Sequence, residues 1–159
     1  MNSLGKDALT YSEIILGLPG DTKDKHFDSL RYAVDSQVNR VHMYEATLLT
    51  GTDMDSRETR DKFGLVTKFR LIPGGVGSYD FAGEKLHVAE IEEIIVGNNT
   101  LSKKDYLECR IMNLIVETFY NNAMFEEIYP MLKTLDISAM DSLIYIKNHP
   151  ELYTKKIKK

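Results

Sequence analysis

The sequence has very little cysteine. Cys109 is the single cysteine among 159 residues, so the chain can form no internal disulfide bond. For the same reason it cannot build a zinc or iron-sulfur site that takes several thiolates from one chain. We therefore expect a reducing, cytoplasmic location.

Long apolar runs and an excess of positive charge are also lacking. Residues 1–10 include Lys6 and Asp7 but no long apolar run, so we expect neither a signal peptide nor a membrane span. The net charge of −4 provides no overall field that would attract nucleic acid or anionic lipid. Neither nucleic acid nor membrane is predicted as a partner.

The motifs of common catalytic and metal sites are missing as well. The four histidines lie apart without the spacing of paired metal ligands, so no metal site is predicted. There is no Gly-x-Ser-x-Gly elbow and no cysteine with a matched histidine, which leaves ordinary hydrolase functions without support. The loop at residues 17–22 has no Gly-Lys-Ser/Thr and is not a P-loop. The sequence assigns no catalytic residue.

The first part of the chain has the pattern of strand, helix and strand. Tyr11 to Leu16 is a β-rich apolar run, and residues 22–36 carry apolar side chains at helical spacing. Val38 to Tyr44 alternates as a second strand. Such a crossover joins parallel strands, so the loop after the first strand is predicted at the carboxyl edge of the sheet, where ligands usually bind.

Residues 17–22, Gly-Leu-Pro-Gly-Asp-Thr, allow two interpretations. The glycines let a ligand approach the backbone closely, beside the free N–H groups of a helix N-terminus. Alternatively, the segment is a strand-to-helix turn in which Asp21 or Thr22 caps the helix.

Three side chains near the strands are candidates for ligand contacts. Glu13 and Glu45 lie on or just after apolar strands, where a carboxylate either binds a group such as a substrate amine or points to solvent. Tyr44 ends the second strand and is the aromatic residue that we expect to stack on a ring.

The remaining sequence predicts one more strand followed mainly by helices. A short helix is expected at 56–63, a strand at 66–72, and helices at 102–119, 124–135 and 138–147. The glycine-rich segment 73–78 is predicted to be a loop, either a mobile lid or, as we favour, a domain joint. Residues 88–96 fit a helix or a strand, and we favour the helix.

Several segments resemble radical SAM proteins. Residues 11–22, Tyr-Ser-Glu-Ile-Ile-Leu-Gly-Leu-Pro-Gly-Asp-Thr, are similar to the late barrel strand of that family that ends in Gly-Leu-Pro-Gly-Glu-Thr, with Asp21 in place of Glu. Residues 48–52, Leu-Leu-Thr-Gly-Thr, are similar to its Leu-Leu-Pro-Gly-Thr, with Thr50 in place of proline. Residues 63–65, 67–70 and 88–93 resemble the C-terminal extension of cobalamin-binding members. The resemblance covers roughly residues 11–120.

The resemblance implies an α/β fold in two units. Residues 1–72 would hold the late strands of a partial (β/α) radical SAM barrel, and residues 73–159 a mainly α-helical C-terminal extension. The full-length protein would bind S-adenosylmethionine and a four-iron iron-sulfur cluster, and in many members also cobalamin. It would cleave S-adenosylmethionine reductively to drive radical chemistry on a substrate that the sequence does not identify. The implied cofactor-binding residues are Gly17, Leu18, Pro19 and Gly20 beside the adenosyl group, with Glu13 and Tyr44 facing the barrel interior.

The chain departs from the family in one decisive respect. It lacks the Cys-x-x-x-Cys-x-x-Cys loop that holds the cluster. We therefore expect the isolated chain to bind none of these cofactors, to be inactive, and to need the missing N-terminal barrel half, from the same polypeptide or from a separate subunit. The exposed strand edges of such a fragment also predict self-association. The alternative is a stand-alone, non-catalytic binding or scaffold module.

Overall fold

The computed structural model describes residues 9–153. Strands and helices are mixed in it, which confirms the predicted α/β class. The strands are β1 (Tyr11–Leu16), β2 (Arg40–Glu45), β3 (Thr47–Leu48), β4 (Val66–Phe81) and β5 (Glu84–Gly97). The helices are α1 (Lys23–Asp35), α2 (Arg57–Phe63), α3 (Lys103–Ile115), α4 (Ile128–Thr134) and α5 (Ala139–Asn148), with a π-helical turn at Val116–Asn121.

The predicted strand–helix–strand unit is confirmed. β1 and β2 pair in parallel, with Tyr11 opposite Arg40 and Leu16 opposite Glu45. α1 begins after Thr22, whose hydroxyl accepts a hydrogen bond from the Lys25 backbone N–H. Such an N-cap satisfies one of the free donors of the first turn, so the helix starts directly after the loop.

The second sheet is antiparallel and is dominated by a long hairpin. β5 lies between β3 and β4 in the strand order β3-β5-β4. β4 and β5 are joined at Ala82 and Gly83, both of which have positive φ angles. Two positive φ values in a row match the tight turn that suits the twist of a hairpin.

Two predictions in this region are wrong. The segment 73–78 is not a separate loop but lies inside β4, and residues 88–96 form part of β5 rather than a helix. The pairing register of β4 with β5 shifts between Leu71 and Val76. The irregular glycine-rich residues lie in this bulge, which tolerates extra unpaired residues. The β-branched residues of 88–96 pair across the hairpin, which outweighs their helical spacing. The division into units 1–72 and 73–159 stays a prediction, and β4 runs across its boundary.

The C-terminal part is helical from Lys103 onwards. Ser102 caps α3 by accepting a hydrogen bond from the Asp105 backbone N–H, as its sequence pattern predicts. α4 begins only at Ile128, so that Pro130 falls in its first turn. Proline is tolerated there because the N–H groups of a first turn have no partner within the helix.

The largest buried cluster lies between the β1–β2 sheet and three helices. It joins Ile14 and Val41 from the sheet to Val34 of α1, Met112 of α3 and Met140 of α5. A second cluster, around Leu16, Ile94, Val96, Leu101, Tyr106 and Cys109, attaches the base of the hairpin. Among residues 9–153, no helix is long and apolar enough to cross a bilayer.

Candidate functional site

The loop after β1 is held in shape by its own aspartate. One Asp21 carboxylate oxygen accepts from the Gly17 N–H at 3.0 Å, and the other accepts from the Thr22 N–H at 2.9 Å. Gly17 and Gly20 have φ angles of +97° and +79°, which side chains with a Cβ rarely adopt. Both oxygens of Asp21 are therefore engaged with the backbone, as the turn interpretation requires.

The turn between β5 and α3, residues 98–102, holds this loop in place through hydrogen bonds. The Asn98 side chain donates to the Leu18 carbonyl at 3.0 Å, and the Thr100 hydroxyl donates to the Asp21 carbonyl at 2.6 Å. A Cβ on Gly17 would lie 3.1 Å from the Ile95 carbonyl oxygen. The loop is thus clamped between α1 and the base of the hairpin. Whether it also borders a ligand, as the resemblance implies for Gly17, Leu18, Pro19 and Gly20, stays a prediction.

Glu13 and Tyr44 lie on the same side of the β1–β2 sheet. Neighbouring positions in the parallel register share a face, so this side carries Tyr11, Glu13, Ile15, Arg40, His42 and Tyr44. We call this side the open face, because most of its surface is uncovered: Tyr11 is 69% exposed and Tyr44 48% exposed, and α3 reaches it only at the margin beside His42 and Tyr44. The structure therefore brings two of the predicted residues together.

Aromatic rings form a row on the open face. The His42 ring lies 5.8 Å from the Tyr11 ring in an edge-on arrangement and 6.3 Å from the Tyr44 ring in a stacked one, measured between centroids. Tyr11 and His42 are not among the site residues that the sequence predicts. Their period-two spacing with Glu13 and Tyr44 was the available signal.

Glu45 lies on the opposite side of the sheet and is not available to a ligand amine. Its side chain is only 9% exposed and forms ion pairs with Arg110 of α3 and, at 3.0 Å, with Arg70 of β4. Arg70 also contacts Glu92 at 2.7 Å. A nearly buried carboxylate needs such partners to offset its desolvation. Glu45 joins the sheet to the hairpin and to α3, a role that no local sequence pattern reveals.

The two edges of the β1–β2 sheet differ. On β2, the Asn121 side chain accepts from the Val41 N–H at 2.9 Å and donates to the Val41 carbonyl at 2.8 Å, so it occupies the place of a further strand. On β1, Thr10 and Leu16 accept from β2 and its continuation, so by alternation the backbone groups of Tyr11, Glu13 and Ile15 point outward. Among residues 9–153, no strand pairs with this outer edge.

A groove runs along the open edge of β1. It has a volume of about 670 Å³ and lies between β1 and α1, where Asp28, Ser29 and Tyr32 form the helical wall. Unpaired strand edges are templates for pairing with another chain. The unpaired edge of β1 and the groove lie side by side.

The interior holds a buried polar pair between α1 and α3, and the cysteine lies between α3 and the base of the hairpin. Nε2 of His26 lies 2.7 Å from Oδ1 of Asn113, and both side chains are buried. Burial is the main cause that lowers the His26 pKa. Burial also raises the pKa of the Cys109 thiol to about 12, so this thiol stays protonated and does not fit the role of a cluster ligand.

The described residues contain no group of three or more His, Cys, Asp or Glu side chains placed to hold a metal ion. No family model matches the sequence, and no curated protein matches it.

Proposed function

We propose that this chain is the C-terminal part of a radical SAM enzyme and that it is not catalytic alone. The full enzyme would cleave S-adenosylmethionine reductively at a four-iron cluster, in many relatives with cobalamin as a further cofactor. In this chain, residues 17–20 would border the adenosyl group, and Glu13 and Tyr44 would face the barrel interior. The observation that carries the proposal is the asymmetry of the β1–β2 sheet.

That asymmetry is what an incomplete (β/α) barrel requires. One sheet face belongs to the buried cluster that also includes α1, α3 and α5, while the open face carries Tyr11, Ile15 and Tyr44, which are 69%, 47% and 48% exposed. A barrel strand needs an apolar neighbour on its inner face and a hydrogen-bonded neighbour at its edge. The β1 edge is open to such a neighbour, whereas on the β2 edge Asn121 occupies both backbone groups of Val41. The loop 17–22 lies at the carboxyl end of β1, the side on which barrel enzymes bind ligands.

The cluster itself does not fit the residues of this chain. The only thiol is that of Cys109, which is buried between α3 and the base of the hairpin. We therefore assign cluster binding to the other barrel half, and no catalytic step is derived for the residues present.

The first test is anaerobic reconstitution of the purified chain with iron, sulfide, a reductant and S-adenosylmethionine. We expect no bound cluster and no 5′-deoxyadenosine. The decisive experiment is affinity capture of partner proteins from the source cells, with the wild-type chain and an Ile15→Pro variant as baits. The proposal expects a partner that contains the three-cysteine loop, is lost with the Ile15→Pro bait, and gives a complex that forms 5′-deoxyadenosine. Cluster formation by the chain alone, or a captured complex without this activity, would contradict it.

A second candidate function is a stand-alone binding or scaffold module. It is favoured by the continuous buried cluster that joins β1, β2, α1, α3 and α5 without any further chain. A monodisperse monomer that unfolds in one cooperative transition, together with no cysteine-bearing partner, would support it.

A further inference from the structure

On the open face, the carboxylate of Glu13 lies among aromatic rings and has no partner within residues 9–153. Glu13 is opposite His42 in the register, and the His42 ring lies between those of Tyr11 and Tyr44. Side chains opposite one another on neighbouring strands have Cβ atoms about 5 Å apart. Within residues 9–153, the Glu13 carboxylate forms no ion pair or hydrogen bond.

The nearby cations are committed elsewhere. Arg40 is the one arginine or lysine among the six open-face residues of β1 and β2, and it contacts Glu117 at 3.6 Å. Arg110 lines a groove together with His42 and Tyr44 but, like Arg70, pairs with Glu45, whose side chain lies on the other side of the sheet. The open face therefore combines one free negative charge with the electron-rich faces of tyrosine rings.

That combination matches one class of ligand. Aromatic rings attract organic cations through the negative faces of their π systems, and a carboxylate adds a full opposite charge. Neutral apolar ligands would gain nothing from Glu13, and anions would be repelled by it. The complementarity thus selects an ammonium group over an uncharged group of the same shape.

We propose that Tyr11, Glu13, His42 and Tyr44 bind an ammonium group of the substrate. This proposal rests on the proposed function, because the open face becomes the wall of an enclosed site only when further strands complete the barrel. It names the substrate class of that site: an amine or a quaternary ammonium compound. In the isolated chain the site has one wall, so binding is expected to be weak, with a dissociation constant on the order of 10 mM.

The test is an NMR titration of the isolated chain with tetramethylammonium chloride. The controls are equal concentrations of tert-butanol, a neutral molecule of the same shape, and of sodium chloride. The ring signals of Tyr11, His42 and Tyr44 are followed at a pH where His42 is neutral, as judged from its own ring signals. The expected result is a saturable shift of these signals with tetramethylammonium only. Glu13→Gln should weaken this binding about threefold to fivefold.

Variants at exposed positions of the hairpin serve as matched controls for the titration. Glu84→Gln removes an exposed carboxylate from the hairpin, and Tyr79→Leu removes an exposed tyrosine from it, so both should leave binding unchanged. Tyr44→Leu should abolish it while circular dichroism stays the same. Equal shifts with tert-butanol, or no effect of Glu13→Gln, would overturn the proposal.

S-adenosylmethionine is compared with its demethylated thioether, which lacks the sulfonium charge. Shifts of the same rings by S-adenosylmethionine, without any by tetramethylammonium, would assign the site to the cofactor and refute a substrate site. This titration needs neither the cluster nor the other barrel half. If the titration fails but the captured complex is active, only the ammonium site is refuted. If the titration succeeds but the captured complex is inactive, only the radical SAM assignment is refuted.

Discussion

At the scale of single residues, Gly17 and Gly20 are a matched pair for testing how the loop is clamped. Both have positive φ angles, but a Cβ on Gly17 would approach the Ile95 carbonyl oxygen at 3.1 Å, whereas a Cβ on Gly20 would meet nothing within 4 Å. Gly17→Ala should lower the free energy of unfolding by about 2–4 kcal/mol, since it combines backbone strain with a close contact. Gly20→Ala should cost only about 1–2 kcal/mol, from strain alone.

Urea denaturation of the two variants measures this difference. Equal losses would mean that the loop moves away from β5 at little cost. In that case the hydrogen bonds from Asn98 and Thr100 would not hold the loop in place.

The buried pair of His26 and Asn113 predicts a dependence of stability on pH. Burial lowers the His26 pKa below its ordinary value of 6.5, so the unfolded chain binds a proton at a higher pH than the folded chain does. The free energy of unfolding is therefore unaffected by His26 above the unfolded pKa and falls as the pH decreases below it, towards the folded pKa.

Urea denaturation between about pH 7.5 and 5.5 should show this loss in the wild type and a smaller loss in His26→Gln. His87→Gln is the control, because His87 is exposed on the hairpin, and it should leave the pH dependence unchanged. A wild-type slope retained in His26→Gln would show that His26 is not the group responsible.

At the scale of elements, the sequence predicted local structure well where one pattern dominated. The β1–α1–β2 unit and α3 follow from hydrophobic spacing and from helix starts at Thr22 and Ser102, and α5 (Ala139–Asn148) closely matches the predicted helix 138–147. These signals act within a few residues, so they can be read without knowledge of the fold.

The hairpin shows why other elements could not be predicted. Ile91, Ile94 and Ile95 have helical spacing, yet they form a strand because β4 pairs with them over most of its length. Pro73 and Gly74 suggest a loop, yet they lie within a bulge of β4. Long-range pairing decided both cases, and it leaves no local trace in the sequence.

The site was predictable only in part for the same reason. Glu13 and Tyr44 share a face because both strands alternate with period two. The partners of Glu45 could not be foreseen, since Arg70 and Arg110 come from elements far along the chain. The closing of the β2 edge by Asn121 likewise depends on how the π-helical turn packs against β2.

At the scale of the whole molecule, the two edges of the β1–β2 sheet predict how the isolated chain associates. The outward backbone groups of β1 are open to pairing, whereas Asn121 occupies those of Val41 on β2. An exposed edge favours pairing between chains, and the exposed Tyr11, Ile15 and Tyr44 beside it add apolar surface to such a contact. We therefore expect the wild-type chain to show concentration-dependent dimers in sedimentation velocity.

Two variants at one position separate the edge from the face. Ile15→Pro removes an outward N–H, which an edge strand tolerates, and should shift the chain towards monomer. Ile15→Ala keeps that N–H and removes only apolar surface, so it should reduce dimerisation less. Asn121→Ala uncovers the second edge and should produce species larger than dimers, because each chain then offers two edges.

Urea denaturation of each variant shows whether it remains folded at the concentrations used. A monomeric wild type at every concentration would mean that the β1 edge does not pair with a second copy. Dimers that survive Ile15→Pro but are lost in Ile15→Ala would place the contact on the open face. With either result, self-association would no longer support an unfilled strand position at β1. The result would instead favour a module that is complete without further strands.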